Sequence, residues 1–353
     1  MAIEFLGNKN KLLEFIFSVI NEQAGDASGG FIDLFSGTSA VSIAAKKAGY
    51  TVTANDSLQL CVKFAEASLL NNKEPSFKEI LKILPVSKKN IKTNKPVEIV
   101  LNYLNSLKPV KGFICKNYSP LSKEYSQYER MYFTEGNAGR IDSIRNKIRD
   151  WSGVLTKAEE ATLIVCLIRA SNRVANTAGT YGCYLKKWKK RSLDELVLVP
   201  IEVIESNVQH AVYNENANDL LKRVGGKVIY ADPPYTKRQY AAYYHVLETI
   251  ACGDEPEIDG STGLRSWQHL SSDYCYKRKA PAAITDLVSK LDCEHFFLSY
   301  NEDGQIPHDV IIDILSKRGR VTTHEKKYKR YKSSTLSHKG NYLVERLYHL
   351  EIT

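Results

Sequence analysis

The stretch "FIDLFSGTSAVSIAAKKAGYTVTAND", Phe31 to Asp56, decides the fold. It reads as a short apolar strand, a Gly/Ser/Thr turn, a small-residue helix stopped at Gly49, and a second strand ending at Asn55-Asp56. Two strands joined by a helix of this length make a βαβ unit, the building block of parallel sheets. Upstream, Leu12, Leu13, Phe15, Ile16, Val19 and Ile20 fall near helical spacing, which predicts an amphipathic helix over residues 9–22. The alternation returns near Lys227: "KVIYAD" reads as a strand, "AAITDLVSKLD" as a helix, "HFFLSYN" as a strand and "HDVIIDILSKRG" as a helix. Two further strands, "RVTTHEKKY" and "YLVERLYHL", close the chain. Between these halves the sequence turns Lys-, Asn- and Tyr-rich with mainly helical periodicity. The expectation is an α/β sheet domain from residues 1–74 and 200–353, interrupted by a mainly helical insertion at 75–199.

Length and composition narrow the class. A chain of 353 residues suits one large or two smaller domains. The longest wholly apolar run, "LIVCLI" (Leu163 to Ile168), is far short of the roughly 20 residues a bilayer span needs. The amino-terminal stretch lacks the features of a secretory signal, so a cytoplasmic location is expected. Seven scattered cysteines without a C-x-x-C pair read as reduced thiols, and no histidine or cysteine spacing suggests a metal. The net charge is +9, and residues 76–232 hold the excess, with 26 Lys/Arg against 16 Asp/Glu. Concentrated basic charge favours a polyanionic partner, although a solvated basic surface has the same composition.

Chemistry gathers at strand ends. In an open parallel sheet, ligands bind outside the carboxyl ends of the strands. Three such ends carry acids: Asp33, Asp56 and Asp232. Gly37 allows close backbone approach to a ligand, and Asp33 can accept hydrogen bonds from an ammonium group. Asp56 is placed to take both hydroxyls of a ribose. No G-x-G-x-x-G precedes it, so a nucleoside without a pyrophosphate fits better than a dinucleotide. The third end, Asp232-Pro233-Pro234-Tyr235, is the most specific signal, because a given tetrapeptide arises by chance in a chain this long about once in a thousand sequences. Its logic suits methyl transfer to an aromatic amine, whose lone pair is delocalised into the ring. The Asp232 carboxylate would accept one N–H and the Pro233 carbonyl the other, localising the pair. Proline fixes the backbone, and Tyr235 offers a stacking face to an extruded base.

With these residues in view, the chain resembles the Dam-type adenine DNA methyltransferases. Phe5-Leu6-Gly7-Asn8-Lys9 is similar to that family's F-x-G-x-K motif, and "DLFSGTSAVS" to its D-L-F-x-G-x-G motif, with Ala40 after Ser39 where a second glycine is common. The resemblance implies a Rossmann-like sheet binding S-adenosyl-L-methionine (AdoMet), released as S-adenosyl-L-homocysteine, and a helical target-recognition insertion. It further implies a cofactor site of Phe5, Gly7, Asn8, Lys9, Asp33, Phe35, Ser36, Gly37, Asp56, Asp219 and Asp232, and a catalytic Asp232, Pro233, Pro234 and Tyr235. No metal is implied. The partner the resemblance implies is double-stranded DNA in the nucleoid, with a cognate restriction endonuclease as a candidate second partner.

"LIRASNRVANTAGTYGCYLKKW" is similar to the family's helix followed by a DNA-contacting hairpin. Asn176, Tyr181, Lys186, Lys187, Lys189 and Arg191 are the DNA-binding residues expected there, with Lys237 and Arg238 beside the flipped base. "KKYKRYK" (Lys326 to Lys332) has similar chemistry, and "STGLRSWQHL" leaves Arg265 near DNA and simple packing of Trp267 as equal readings. Two rivals are an RNA adenine methyltransferase, with the same amine chemistry, and a catalytically silent DNA-binding regulator.

Overall fold

A computed structural model describes residues 7–85, 93–329 and 342–352, and the chain divides into two compact units. One unit, comprising 8–57, 208–239 and 271–353, carries the sheet. Its strands are β1 (Gly30–Asp33), β2 (Thr51–Asn55), β3 (Ala211–Tyr213), β4 (Gly226–Ala231), β7 (Cys293–Asn301), β8 (Gly319–Lys329) and β9 (Tyr342–Ile352). They lie in the order β3-β2-β1-β4-β7-β9-β8. The first five in that order run parallel, and β9 is antiparallel to both β7 and β8. Central strands of a doubly wound sheet are covered on both faces, so they read as continuous apolar runs. Accordingly Ile32, Ile229, Ala231, Phe296 and Leu298 are buried in one core cluster with Leu220, Ile284, Leu287, Ile311 and Leu315 from the flanking helices.

The helix Ala40–Ala48 ends where the sequence says it should. Gly49 adopts φ 99° and returns its N–H to the carbonyls of Ala45 and Lys46, a left-handed cap that glycine enters without a Cβ penalty. The amphipathic helix expected over 9–22 forms as Leu13–Ala24 and buries Ile16, Val19 and Ile20. β3 escaped the sequence reading because three residues are too few to show a period.

The other unit comprises residues 1–7, 58–207 and 240–270 and is mainly helical. Its longest helix, Lys157–Val174, opens on a capping box between Thr156 and Glu159 and buries Leu163, Ile164, Leu167 and Ile168. The apolar run "LIVCLI" is therefore core. The helix Gln59–Leu69 begins on the Glu248 carboxylate, which accepts from the N–H groups of Gln59 (2.9 Å) and Leu60 (2.8 Å). This unit is cut differently from the expected 75–199: its main segment runs from Leu58 to Asn207, and it recruits Tyr240–Leu270. Both added segments put apolar faces into its core through Leu60, Phe64, Leu247 and Ile250.

The expected DNA-contacting hairpin is corrected: residues 175–210 contain no strand. Asn176 explains why. Its Nδ2 donates to the carbonyls of Met131 (3.1 Å) and Leu185 (2.8 Å), and its Oδ1 accepts from the Lys189 N–H (3.0 Å). One side chain thus satisfies backbone groups that a strand ladder would otherwise pair. The short ladder of β5 (Ile258–Asp259) with β6 (Leu264–Arg265) belongs to the same unit. There Arg265 is engaged by Asp254 at 2.7 Å, and Trp267 packs beside Leu58, Cys61 and Ala241. No described helix is long and apolar enough to cross a membrane.

Candidate active site

In the sheet unit the polar residues collect at the carboxyl ends of β1, β2 and β4. Asp33 ends β1 and is buried; Ser42, one turn into the following helix, donates to its Oδ2 at 2.6 Å. Burial pushes this carboxyl up to about 7, against the Ser42 hydrogen bond, which lowers it, and with Asp56, which raises it further. The turn after Asp33 is tied at several points. Ser36 N–H donates to the Asn55 carbonyl (2.9 Å), Gly37 N–H to Asp56 Oδ2 (2.9 Å) and Ser39 N–H to the Ser36 carbonyl (2.6 Å). Asn55 links the ends of β1, β2 and β3: its Nδ2 donates to the carbonyls of Leu34 and Glu215, both at 3.1 Å. Gly37 adopts φ 50° and Ser39 φ 62°. The position that wants a second glycine is therefore Ser39 itself, and the expectation at Ala40 is corrected by one residue.

Phe35 lies edge-on to Tyr274, with ring centroids 5.3 Å apart. Asp219 is exposed in the short helix Ala217–Leu220 and pairs with Lys222 at 2.6 Å. Gly7 takes φ 77°, Asn8 accepts from the Asn10 N–H through its side chain, and Phe5 lies outside the described residues.

At the end of β4 the chain delivers Asp232, Pro233, Pro234 and Tyr235. Lys9 reaches Asp232 Oδ1 at 3.0 Å and Glu345 Oε1 at 2.6 Å, and its ammonium sits 5.3 Å from the Tyr235 ring centroid. Burial alone would lower the Lys9 pKa, but Asp232 and Glu345, with Tyr235 and Tyr230, outweigh it and raise it. Burial raises the Asp232 carboxyl to about 7, with Lys9 pulling down and Glu345 pushing up. Tyr235 is held from three sides. Asn301 Nδ2 donates to its hydroxyl (2.9 Å), Gln305 N–H to its carbonyl (3.0 Å), and the Tyr300 ring packs at 5.3 Å between centroids. The Pro234 carbonyl faces Cys275 Sγ at 3.8 Å.

Glu345, Ser299 and Asn301 were not foreseen as site residues. Only the apolar-then-polar ending of "FFLSYN" hinted at the last two, and Glu345 carried no signal in its strand.

The residues expected at DNA divide. Lys186, Lys187 and Arg191 in the helical unit are exposed, as are Lys237 and Arg238 in the sheet unit. Lys189 is turned inward, its ammonium donating to the Thr177 carbonyl. Asn176 and Tyr181 are corrected, since both are fully buried. Asn176 staples its loop as described, while Tyr181 stacks on Tyr132 and donates its hydroxyl to Asn172 at 3.0 Å. Lys326 to Lys332 lies partly outside the described residues.

Sheet order and strand ends define the class: a doubly wound, Rossmann-like α/β protein with acidic residues at the ends of its central strands. The profile of the D12 class N6 adenine-specific DNA methyltransferase family matches residues 5–303, and the chain belongs to that family. It is 38% identical over 336 residues to Type II methyltransferase M.FokI of Planomicrobium okeanokoites, covering 94% of this chain and 50% of that protein. Modification methylase StsI of Streptococcus sanguinis is 32% identical over 357 residues, 99% of this chain and 52% of its own length. Type II methyltransferase M.NlaIII of Neisseria lactamica is 32% identical over 358 residues, 99% of this chain and 100% of its own. The chain thus spans about half of the first two relatives and the whole of the third.

Proposed function

We propose that this protein transfers a methyl group from AdoMet to the exocyclic 6-amino nitrogen of adenine in duplex DNA, after the Dam-type pattern. The observation that carries the reading is Asp232 at the end of β4, held by Lys9, with Tyr235 anchored beside it by Asn301. Membership of an adenine-specific DNA methyltransferase family supports it.

The residues present suit AdoMet. Asp33 Oδ1, Ser36 Oγ and Ser39 Oγ are buried with no hydrogen-bond partner among the described residues, which is costly unless a polar ligand supplies one. Asp33 would take the ammonium group, Asp56 the ribose, and Asp219 the adenine ring, with Phe35 and Gly37 forming the wall. When bound, AdoMet supplies an electrophilic methyl on a sulfonium.

The protein's own part is to prepare the amine. Asp232 and the Pro233 carbonyl each accept one N–H, which turns the nitrogen lone pair out of the ring. After methylation the surplus N–H proton passes to the Asp232 carboxylate. Tyr235 presents its face to the flipped base, a contact worth about 1–3 kcal/mol. Lys186, Lys187 and Arg191, with Lys237 and Arg238, neutralise phosphates, and the helical unit reads the target. The relatives' names as type II and modification methylases favour a role beside a cognate endonuclease within the cell. Incubation with labelled AdoMet and duplex DNA, followed by nucleoside analysis, tests the reading: label in N6-methyladenine supports it, and label in methylcytosine or in RNA alone overturns it.

A further inference from the structure

Glu345 is the acid that the proposed chemistry does not use. It is fully buried on β9, 336 residues beyond the lysine it binds. Its Oε1 takes both the Lys9 ammonium and the Ser299 hydroxyl at 2.6 Å, and its Oε2 faces the Tyr328 hydroxyl at 3.4 Å. Lys9 therefore stands between two carboxylates, and the group carries a net negative charge when both are ionised.

Stability does not account for this arrangement. Burying ions costs several kcal/mol apiece, and apolar residues of similar volume commonly replace buried ion pairs without loss. The three partners do explain geometry. A lysine has a flexible stem and three rotatable donors, so one carboxylate alone leaves its ammonium free to swing. Glu345, pinned from β7 by Ser299 and from β8 by Tyr328, fixes where that ammonium points.

We propose that Glu345 is a positioning residue for methyl transfer: through Lys9 it orients the Asp232 carboxylate and sets its charge, so that Asp232 meets the amino group as an acceptor. This rests on the function proposed above. The charged and titratable groups facing the cluster are Lys9 from the segment before the first helix, Asp33 from β1, Tyr230 from β4, Asp232 and Tyr235 from the loop after it, and Tyr328 from β8. Lys9 favours ionisation of Asp232, whereas Glu345 and, more weakly, Asp33 oppose it.

Glu345→Gln keeps an oxygen for Ser299 and Lys9 while removing one negative charge. With that charge gone, Asp232 ionises more easily, and the acid limb of the kcat–pH profile moves to lower pH by about one unit. A neutral amide oxygen holds the Lys9 ammonium more weakly than a carboxylate does, which lowers kcat at pH 8 about tenfold, while AdoMet affinity by titration calorimetry stays within about twofold of the wild type. A folded variant with the wild-type acid limb and wild-type kcat overturns the proposal. Should Glu345→Gln fail to fold, Ser299→Ala removes an anchor and keeps the charge. It is expected to lower kcat while leaving the acid limb in place, and unchanged kcat in that variant also overturns the proposal. Absence of adenine methylation by the wild-type protein would instead defeat the reading on which it rests.

Discussion

Gly304→Ala tests how tightly the Tyr235 ring is held. A Cβ built at Gly304 would lie 2.1 Å from Cε1 of Tyr300, 2.7 Å from its Cζ and 2.8 Å from its Cδ1. Carbon atoms meet comfortably near 3.5 Å, so the ring must shift by roughly 1.4 Å. It has little room to do so: Tyr300 is buried, and its hydroxyl accepts from the Ile306 N–H at 3.1 Å. Tyr235 is the neighbour at 5.3 Å between centroids, so the displacement passes to the proposed stacking surface. Overpacking of this kind costs about 1–3 kcal/mol. Expressed in the transition state, that loss lowers kcat/KM for DNA between about 5-fold and about 160-fold. The assay is initial-rate methyl transfer at saturating AdoMet with varied DNA, beside a thermal melt. Gly136→Ala is the control, because a Cβ there meets nothing within 4 Å, so it is expected to be neutral or stabilising. Wild-type kcat/KM in folded Gly304→Ala protein would show that the Tyr300 ring does not govern the stacking surface.

Ser39→Gly should raise the melting temperature by a few degrees, since it relieves a left-handed serine at φ 62° and removes a buried hydroxyl without a partner. Calorimetry of the same variant should show weaker AdoMet binding. Asn176→Ala removes the side chain that holds its loop at three points, and a stability loss of about 1–3 kcal/mol by urea unfolding is expected. Asp33 and Asp232 both keep their protons up to about 7 in the folded state, against 3.8 ordinarily. The folded form then binds more protons between these values, so the stability they contribute falls as pH rises from about 4 to about 7. Turnover, which needs ionised Asp232, rises at the upper end of that window. A protein that melts lower at pH 8 than at pH 6 yet turns over faster at pH 8 meets both expectations; faster turnover at pH 6 would count against them.

What the sequence disclosed followed from locality. The βαβ unit, Asp33, Asp56 and the Asp232-to-Tyr235 stretch lie at strand ends whose apolar runs are visible in a few neighbouring residues. Glu345 was hidden because its meaning comes from pairing across the sheet: β9 places it opposite Asn301 of β7 and Lys326 of β8. The helical unit misled for the opposite reason. Asn176 and Tyr181 stand among Gly, Thr and Lys residues that look like an exposed turn, yet both side chains are drawn inward by partners elsewhere, Met131 for one and Tyr132 for the other. Its boundaries were equally out of reach, because Tyr240–Leu270 joins the helices through side chains that a linear scan assigns to the sheet.

The proposed chemistry stands or falls on the carboxylate at 232 preparing the amine for attack. Methyl transfer to duplex DNA by Asp232→Ala, measured beside its AdoMet affinity, decides the matter. Cofactor binding close to that of the parent protein, with no labelled adenine, is the expected result. Turnover at the parent rate would contradict it.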